Sequence, residues 1–146
     1  MAPYKFISRI SKGQEIEQYG DGEQIRDFTY IDDIVDGVVR AIDRPYPYEI
    51  INLGGNHGVR LKEFIQLIEK NVGKKANIAV KPPQPGDVPF TLADVKKAGV
   101  LLGYEPKISV EVGVAKTVEW YKSHRSKTNQ QKKQNSSKST SSNTNN

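Results

Sequence analysis

Apolar residues recur at steps of three and four in several parts of the chain, which is the spacing of amphipathic helices. The most regular pattern predicts a helix over Asp33–Asp43, capped by Asp32 and ended by Arg44-Pro45. Further helices are predicted near the amino terminus, ending at Gly13, and over residues 61–72, 94–101 and 110–124. The stripe of the most regular helix consists of Ile31, Ile34, Val35, Val38, Val39 and Ile42.

Three shorter stretches have the composition of β-strands. Gln14–Tyr19 alternates between polar and apolar residues and is followed by a Gly-Asp-Gly turn. Tyr48–Leu53 is apolar at its centre, which is typical of a strand buried on both faces. Ala76–Val80 is the third strand, and the four prolines of the following residues 81–89 predict an irregular loop.

Composition changes sharply near the carboxyl end. Apolar residues make up 36% of the 146 residues, and none occurs from Ser126 onward. Six of the 22 basic residues lie in residues 122–146, which leaves 16 against 17 acidic residues in the body. The sequence therefore predicts one domain over residues 1–124 and a disordered basic tail over residues 125–146, and it does not indicate a nucleic-acid-binding body.

Several classes of site and location are disfavoured by what the sequence lacks. There is no cysteine, and His57 and His124 are isolated, so no metal-ligand spacing occurs. No apolar run has the roughly 20 residues of a membrane span, and the amino terminus does not resemble a secretory signal. We expect a soluble, cytoplasmic protein without a metal site, and we assign no catalytic residue.

The richest candidate for binding chemistry is the segment from Gln18 to Asp33. Tyr19 stands where a strand meets a glycine-bracketed turn, so its ring is placed to stack on a base. Arg26 follows the turn and can make a two-pronged contact with a pyrophosphate. The alternative is that Tyr19 belongs to the core and Arg26 pairs with a neighbouring carboxylate such as Asp27, and spacing does not decide between the two.

Two loops add weaker signals. Gly54-Gly55-x-x-Gly58 lies between a predicted strand and a helix, but its glycine order differs from a dinucleotide-binding loop, so a polar turn is the better interpretation. The proline-stiffened loop presents Gln84 and Asp87, an amide and a carboxylate that suit sugar or ribose hydroxyls. An ordinary surface connection is the alternative there.

Together these segments resemble the carboxy-terminal part of an extended short-chain dehydrogenase/reductase, in particular the nucleotide-sugar epimerases. The similar segments are Tyr19-Gly-Asp-Gly22, Arg26-Asp-Phe-Thr-Tyr-Ile-Asp-Asp33, Ile51-Asn-Leu-Gly54, Gln84-Pro-Gly-Asp-Val-Pro89, Ala93-Asp94 and Leu102-Gly-Tyr104. The resemblance covers about residues 1–124 and looks strongest to the UDP-glucuronate 4-epimerases. It implies an α/β fold, the substrate-binding portion of an extended Rossmann-type fold whose dinucleotide-binding part is not in this chain.

The resemblance also implies a UDP-sugar substrate, epimerised at C4 with the help of NAD. It places Tyr19 against the uracil, Arg26 on the diphosphate and Asp87 on the ribose hydroxyls. Gln84 stands where several related epimerases carry a second phosphate-binding arginine. The family's Tyr-x-x-x-Lys and glycine-rich NAD motifs do not occur in these residues, so the NAD-binding residues are expected elsewhere.

Two alternatives stay open at this point. The chain would act with a missing amino-terminal half or as a homo-oligomer if it is part of an epimerase or of a nucleotide-sugar dehydratase. It would act alone if it is a non-catalytic module that binds nucleotide sugars or another protein.

Overall fold

Five helices and four short strands make up the part of the chain that the structure describes, in a mixed α/β arrangement. The structure is a computed structural model that describes the backbone of residues 2–140 and the side chains of residues 3–125. In chain order the elements are α1 (Ala2–Ser11), β1 (Glu15–Tyr19), β2 (Ile25–Asp27), α2 (Ile31–Asp43), β3 (Gly58–Arg60), α3 (Leu61–Val72), β4 (Asn77–Lys81), α4 (Lys96–Leu102) and α5 (Val110–Thr140).

Helices α1, α3 and α5 pack around one apolar cluster, to which β1 adds Ile16. The apolar positions that predicted these helices are the buried ones, so these helices are confirmed. Gly73 ends α3 in a left-handed conformation with φ of 80°, which glycine adopts without steric cost. The side chains at most 2% exposed in this cluster are Ile7, Ile10, Ile16, Ile65, Ile68 and Val118.

The strands form two small two-stranded sheets. β1 and β4 pair in parallel, with Glu15 opposite Asn77 and Tyr19 opposite Lys81. The strands predicted at Gln14–Tyr19 and Ala76–Val80 are thereby confirmed. β2 and β3 pair antiparallel. Neither strand was predicted, because three residues are too few to show an alternation.

Helix α2 forms where the apolar period predicts it, but its stripe faces solvent. Val38 and Ile42 are 46% and 71% exposed. The expected cap is wrong: the N-cap residue is Tyr30, without a side-chain cap, and Asp32 lies in the first turn. The helix begins earlier because Ile31 already has helical geometry, and the Asp32 carboxylate instead lies 3.3 Å from the Lys116 ammonium.

The strand predicted over Tyr48–Leu53 is wrong, since these residues have no regular secondary structure. Tyr48 and Ile50 are 80% and 70% exposed. A strand is stabilised by hydrogen bonds to a neighbouring strand, and within residues 2–140 none of the four strands pairs with this segment.

Helix α5 continues to Thr140, whereas the sequence predicted a disordered tail over residues 125–146. Extending a helix that already exists fixes one residue for each new hydrogen bond, so the packed first half of α5 can propagate without an apolar stripe. Residues 141–146 lie outside the described residues. Within the described part, no helix combines the length and apolar character needed to cross a bilayer.

Candidate functional site

A cavity of about 500 Å³ lies between the amino-terminal part of α1, strands β1 and β2, and the proline-rich loop. Its floor is apolar, formed partly by Phe6, Phe28 and Leu61. It brings together three of the four predicted site residues, Tyr19, Arg26 and Asp87. A larger cavity of about 640 Å³ beside α3 contains none of the four, so the smaller one is the candidate site.

Arg26 lies on β2 and lines this cavity. Its Nη1 donates to the Ile25 carbonyl at 2.8 Å, and its Nη2 donates to the Asp87 carboxylate. The alternative that Arg26 pairs with Asp27 is wrong, because the ion pair is made across 61 positions with Asp87. The two side chains are 22% and 40% exposed, so the pair is accessible from solvent.

Asp27 holds the backbone around the site. Its two carboxylate oxygens accept hydrogen bonds from the amides of Gly55, Asn56 and Ala93, at 3.0, 3.1 and 3.1 Å. The same residue therefore joins the Gly54-Gly55 turn and the segment after the proline-rich loop to the end of β2. Next to it, Phe28 stacks on Phe64 of α3 with ring centroids 3.9 Å apart, which anchors β2 to the main core.

Tyr19 is the last residue of β1 and is half-buried. The turn that follows passes through Gly20 and Gly22, whose φ values of 73° and 80° suit glycine. Gln24 closes this turn by donating its side-chain amide to the Tyr19 carbonyl at 2.7 Å. The turn thus fixes the backbone on both sides of the tyrosine ring.

Gln84 lies on the same loop as Asp87, but its side chain does not line the cavity. Its carbonyl accepts the Asp87 amide at 3.1 Å in a turn that contains Gly86, with φ of 84°. The structure therefore separates the two loop residues: Asp87 points into the site, and Gln84 stays exposed at its margin. A phosphate contact by Gln84 stays a prediction.

The formal charge of the cavity is negative. Glu17, Asp27 and Asp87 supply three carboxylates and Arg26 one guanidinium, which gives a formal net charge of −2 for these lining residues. Asp27 is offset by its three amide donors, so the charges that face the cavity are dominated by the Arg26–Asp87 pair and Glu17. An anion bound here must compete with Asp87 for the guanidinium.

The Gly54-Gly55-x-x-Gly58 turn does not fit a bound dinucleotide. The amides of Gly55 and Asn56 already donate to Asp27. A Cβ at Gly54 would lie 2.3 Å from the Ala93 Cβ, so the chain itself fills the space beside the turn. The polar-turn interpretation agrees with this packing, and these residues do not fit the NAD that the resemblance implies.

Tyr104 supports the same turn from below. Its buried hydroxyl donates to the Gly54 carbonyl at 2.9 Å. Burial raises the pKa of Tyr104, and the nearby Asp33 carboxylate raises it further. The phenol therefore stays protonated and remains a donor, and its role is structural. Within residues 3–125 no group of three or more potential metal-ligating side chains occurs.

Four polar residues of the cavity were not predicted as site residues: Glu17, Gln24, Asp27 and Thr29. Asp27 follows Arg26 directly, and its partners are up to 66 positions away. Nothing in local spacing indicates that it would bind backbone amides instead of Arg26. Glu17 could have been found, because in an alternating strand it shares a face with Tyr19 two positions later.

Comparison with known proteins identifies the family of the chain. Residues 4–117 match the family model described as GDP-mannose 4,6 dehydratase. The chain is 49% identical over 121 residues to an uncharacterized protein of Methanocaldococcus jannaschii, and 43% identical over 123 residues to a UDP-glucuronate 4-epimerase of Thermodesulfobacterium geofontis. These matches cover 83% and 84% of this chain, but 37% and 38% of the relatives.

Solved structures agree. A UDP-glucuronic acid 4-epimerase from Bacillus cereus, in complex with UDP-glucuronic acid and NAD, superposes with a TM-score of 0.79 at 34% identity. The match covers 84% of this chain and 40% of that one. The described α/β fold is therefore a partial Rossmann-type fold, as the resemblance implied, and NAD is bound in this similar structure. The chain belongs to the epimerase/dehydratase family of extended short-chain dehydrogenases/reductases.

Proposed function

We propose that this chain is the UDP-binding part of an NAD-dependent UDP-sugar 4-epimerase that acts on UDP-glucuronate. The observation that carries the proposal is the cavity in which Tyr19, Arg26 and Asp87 meet. The similarity to UDP-glucuronate 4-epimerases, including one with UDP-glucuronic acid bound, supports the choice of sugar nucleotide.

Each cavity residue has a role that its chemistry suits. The Tyr19 ring packs against the uracil, and the Arg26 guanidinium binds the diphosphate through charge-assisted hydrogen bonds. The Asp87 carboxylate accepts hydrogen bonds from the ribose hydroxyls. Gln84 contributes to the phosphate end from the margin of the site, as a side-chain amide rather than a second cation.

We further propose that a dinucleotide-binding part holds the NAD and covers the exposed stripe of α2. This chain spans about two fifths of the length of the relatives it matches. Val38 and Ile42 on α2, and Ile50 beyond it, form apolar surface that such a part would bury. We also expect homo-oligomerisation and a cytoplasmic location.

The diphosphate assignment is tested by changing Arg26→Ala and measuring UDP binding to the 146-residue chain by calorimetry. We expect a loss of about 1.5–3 kcal/mol, the contribution of hydrogen bonds to a charged group. Arg60→Ala is the control: Arg60 pairs with Glu23 and Glu63 and does not line the cavity. Equal UDP affinity in wild type and Arg26→Ala contradicts the assignment.

The epimerase role is tested by turnover. With UDP-glucuronate and NAD we expect no epimerisation by this chain alone, and turnover when the dinucleotide-binding part of a UDP-glucuronate 4-epimerase is supplied as a second polypeptide. Binding of UDP without turnover in that mixture would favour a non-catalytic nucleotide-sugar-binding module, which the occupied amides of the Gly54-Gly55 turn also suit. Release of water from the substrate, detected by mass spectrometry, would instead indicate a dehydratase.

A further inference from the structure

The Arg26–Asp87 ion pair joins two groups that the proposed function assigns to different parts of the nucleotide. One arm of the guanidinium is held by the Ile25 carbonyl, and the other by Asp87. The carboxylate thus stands in the position from which a phosphate oxygen would accept the same N–H. A diphosphate can take that position when Asp87 leaves it.

The loop that carries Asp87 is fixed at both ends and exposed between them. At one end the Gly20 amide donates to the Lys81 carbonyl at 2.9 Å. At the other, the Ile25 amide donates to the Pro89 carbonyl at 2.9 Å. Residues 82–88 are all exposed. Asp87 can therefore turn away from Arg26 without breaking either anchor.

Inorganic pyrophosphate and a nucleoside diphosphate differ in the hydrogen bonds that they offer to the displaced Asp87 carboxylate. Bare pyrophosphate replaces Asp87 on Arg26 and leaves that carboxylate beside added negative charge, in a cavity that already has a formal net charge of −2. A nucleoside diphosphate also replaces it, but its ribose hydroxyls can donate to the freed carboxylate. Asp87 therefore gains new hydrogen-bond donors when the nucleotide displaces it from Arg26, but not when pyrophosphate does.

We propose that Asp87 is a specificity-determining residue. Its ion pair with Arg26 is replaced more readily by ligands that carry both a diphosphate and neighbouring hydroxyl donors than by a diphosphate alone. This inference rests on the proposed function, since it uses the same cavity and the same two residues. It adds that the ion pair weakens the binding of inorganic pyrophosphate and simple phosphates, whose phosphate groups resemble those of the substrate.

The test compares inorganic pyrophosphate with UDP on the wild-type chain and on Asp87→Asn, by calorimetry at fixed ionic strength. Removing the carboxylate should tighten pyrophosphate binding about five-fold, the upper range for an exposed ion pair. UDP affinity should change less than about three-fold, because the lost ribose contact opposes the gain at Arg26. The ratio of the UDP affinity to the pyrophosphate affinity, which measures the preference for UDP, is therefore expected to be smaller in Asp87→Asn than in the wild type.

Glu23→Gln is the matched control. It removes the same charge from a carboxylate that pairs with Arg60 and Lys62 outside the cavity, so it should leave the preference unchanged. A melting temperature near that of the wild type is expected for both variants because both carboxylates are exposed.

Three results overturn the proposal. The first is an unchanged pyrophosphate affinity in Asp87→Asn. The second is an equal increase of the UDP and pyrophosphate affinities in that variant. The third is an increase of the pyrophosphate affinity in Glu23→Gln equal to that in Asp87→Asn. Failure of the proposed function is a separate result, namely UDP binding that does not depend on Arg26. The specificity role therefore fails on its own when Arg26→Ala weakens UDP binding but Asp87→Asn leaves the preference intact.

Discussion

Two amphipathic helices with similar apolar stripes have opposite surroundings. Ile68 of α3 is fully buried between α1 and α5, whereas Ile42 of α2 is 71% exposed. Both stripes have the same helical period, so the period predicts that a helix forms and which face is apolar. It does not say what covers that face. The apolar faces of α1, α3 and α5 are buried against one another, whereas most of the apolar stripe of α2 is exposed to solvent.

The α2 region is held to the rest of the described chain largely by polar contacts. The buried Asp33 carboxylate accepts the amides of Lys107 and Ile108, both at 3.0 Å. Arg40 donates to the Gly103 carbonyl at 2.9 Å. Leu53 and Tyr104 also approach α2 closely, at Gly37, where the glycine leaves room for them. Such a region is expected to open locally more easily than the packed core.

The largest contrast between the two regions should come from shortening one isoleucine in each. Ile68→Ala should reduce the free energy of unfolding by about 3–5 kcal/mol, because it leaves a cavity in the core. Ile42→Ala removes the same atoms from an exposed site and should change it by less than about 0.5 kcal/mol. Urea unfolding followed by circular dichroism measures both. Similar losses would mean that the α2 stripe is buried in solution, for example by self-association.

Gly54→Ala tests the junction between the regions, where the turn packs against the segment after the proline-rich loop. The added Cβ would lie 2.3 Å from the Ala93 Cβ and 3.0 Å from an Asp27 oxygen, so we expect a loss of about 3 kcal/mol. Gly99→Ala on α4 is the control: the nearest atom to its added Cβ would be the Tyr104 carbonyl oxygen, 3.6 Å away, and alanine favours the helix by roughly 0.5–1 kcal/mol. Thermal unfolding distinguishes the two, and a tolerated Gly54→Ala would show that the turn shifts freely.

The same contrast explains how far the sequence could be interpreted. Helices and the β1 and β4 strands follow from local spacing, and so does the proximity of Tyr19 and Arg26 to one turn. The strand predicted over Tyr48–Leu53 is wrong because a strand depends on hydrogen bonds to a neighbouring strand, and local composition does not indicate whether such a strand is present. The Arg26–Asp87 ion pair was not predicted, and the suggested Arg26–Asp27 pair is wrong, for a related reason. Arg26 and Asp87 are 61 positions apart, and Asp27, next to Arg26, is engaged by distant backbone amides.

Asp33→Asn should loosen α2 selectively. An amide in place of the carboxylate leaves one of the two backbone N–H groups of Lys107 and Ile108 without an acceptor, at a cost of about 2 kcal/mol. Asp32→Asn is the adjacent control, since that exposed carboxylate meets Lys116 at 3.3 Å and should contribute less than about 1 kcal/mol. Hydrogen exchange should increase in α2 and around Lys107 for Asp33→Asn while the amides of α3 keep their protection. An equal increase in α3 would show that the regions unfold together.

The smallest expected effect belongs to the packed region and depends on pH. Burial alone would raise the pKa of Glu69, but the Ala76 amide at 2.8 Å and the Lys75 ammonium at 3.0 Å outweigh it and lower the pKa below its usual value. A lowered pKa in the folded state means that the ionised group adds stability above the unfolded pKa, and that this is lost as the pH falls through the folded one. Glu69→Gln should therefore cost about 1 kcal/mol at neutral pH and progressively less in acid. Glu119→Gln makes the same change at an exposed position of α5 and reports the general effect of charge. A cost for Glu69→Gln that does not decline in acid would mean that the side chain acts by packing, and the α3–β4 connection would then resemble the rest of the apolar core rather than the polar attachment of α2.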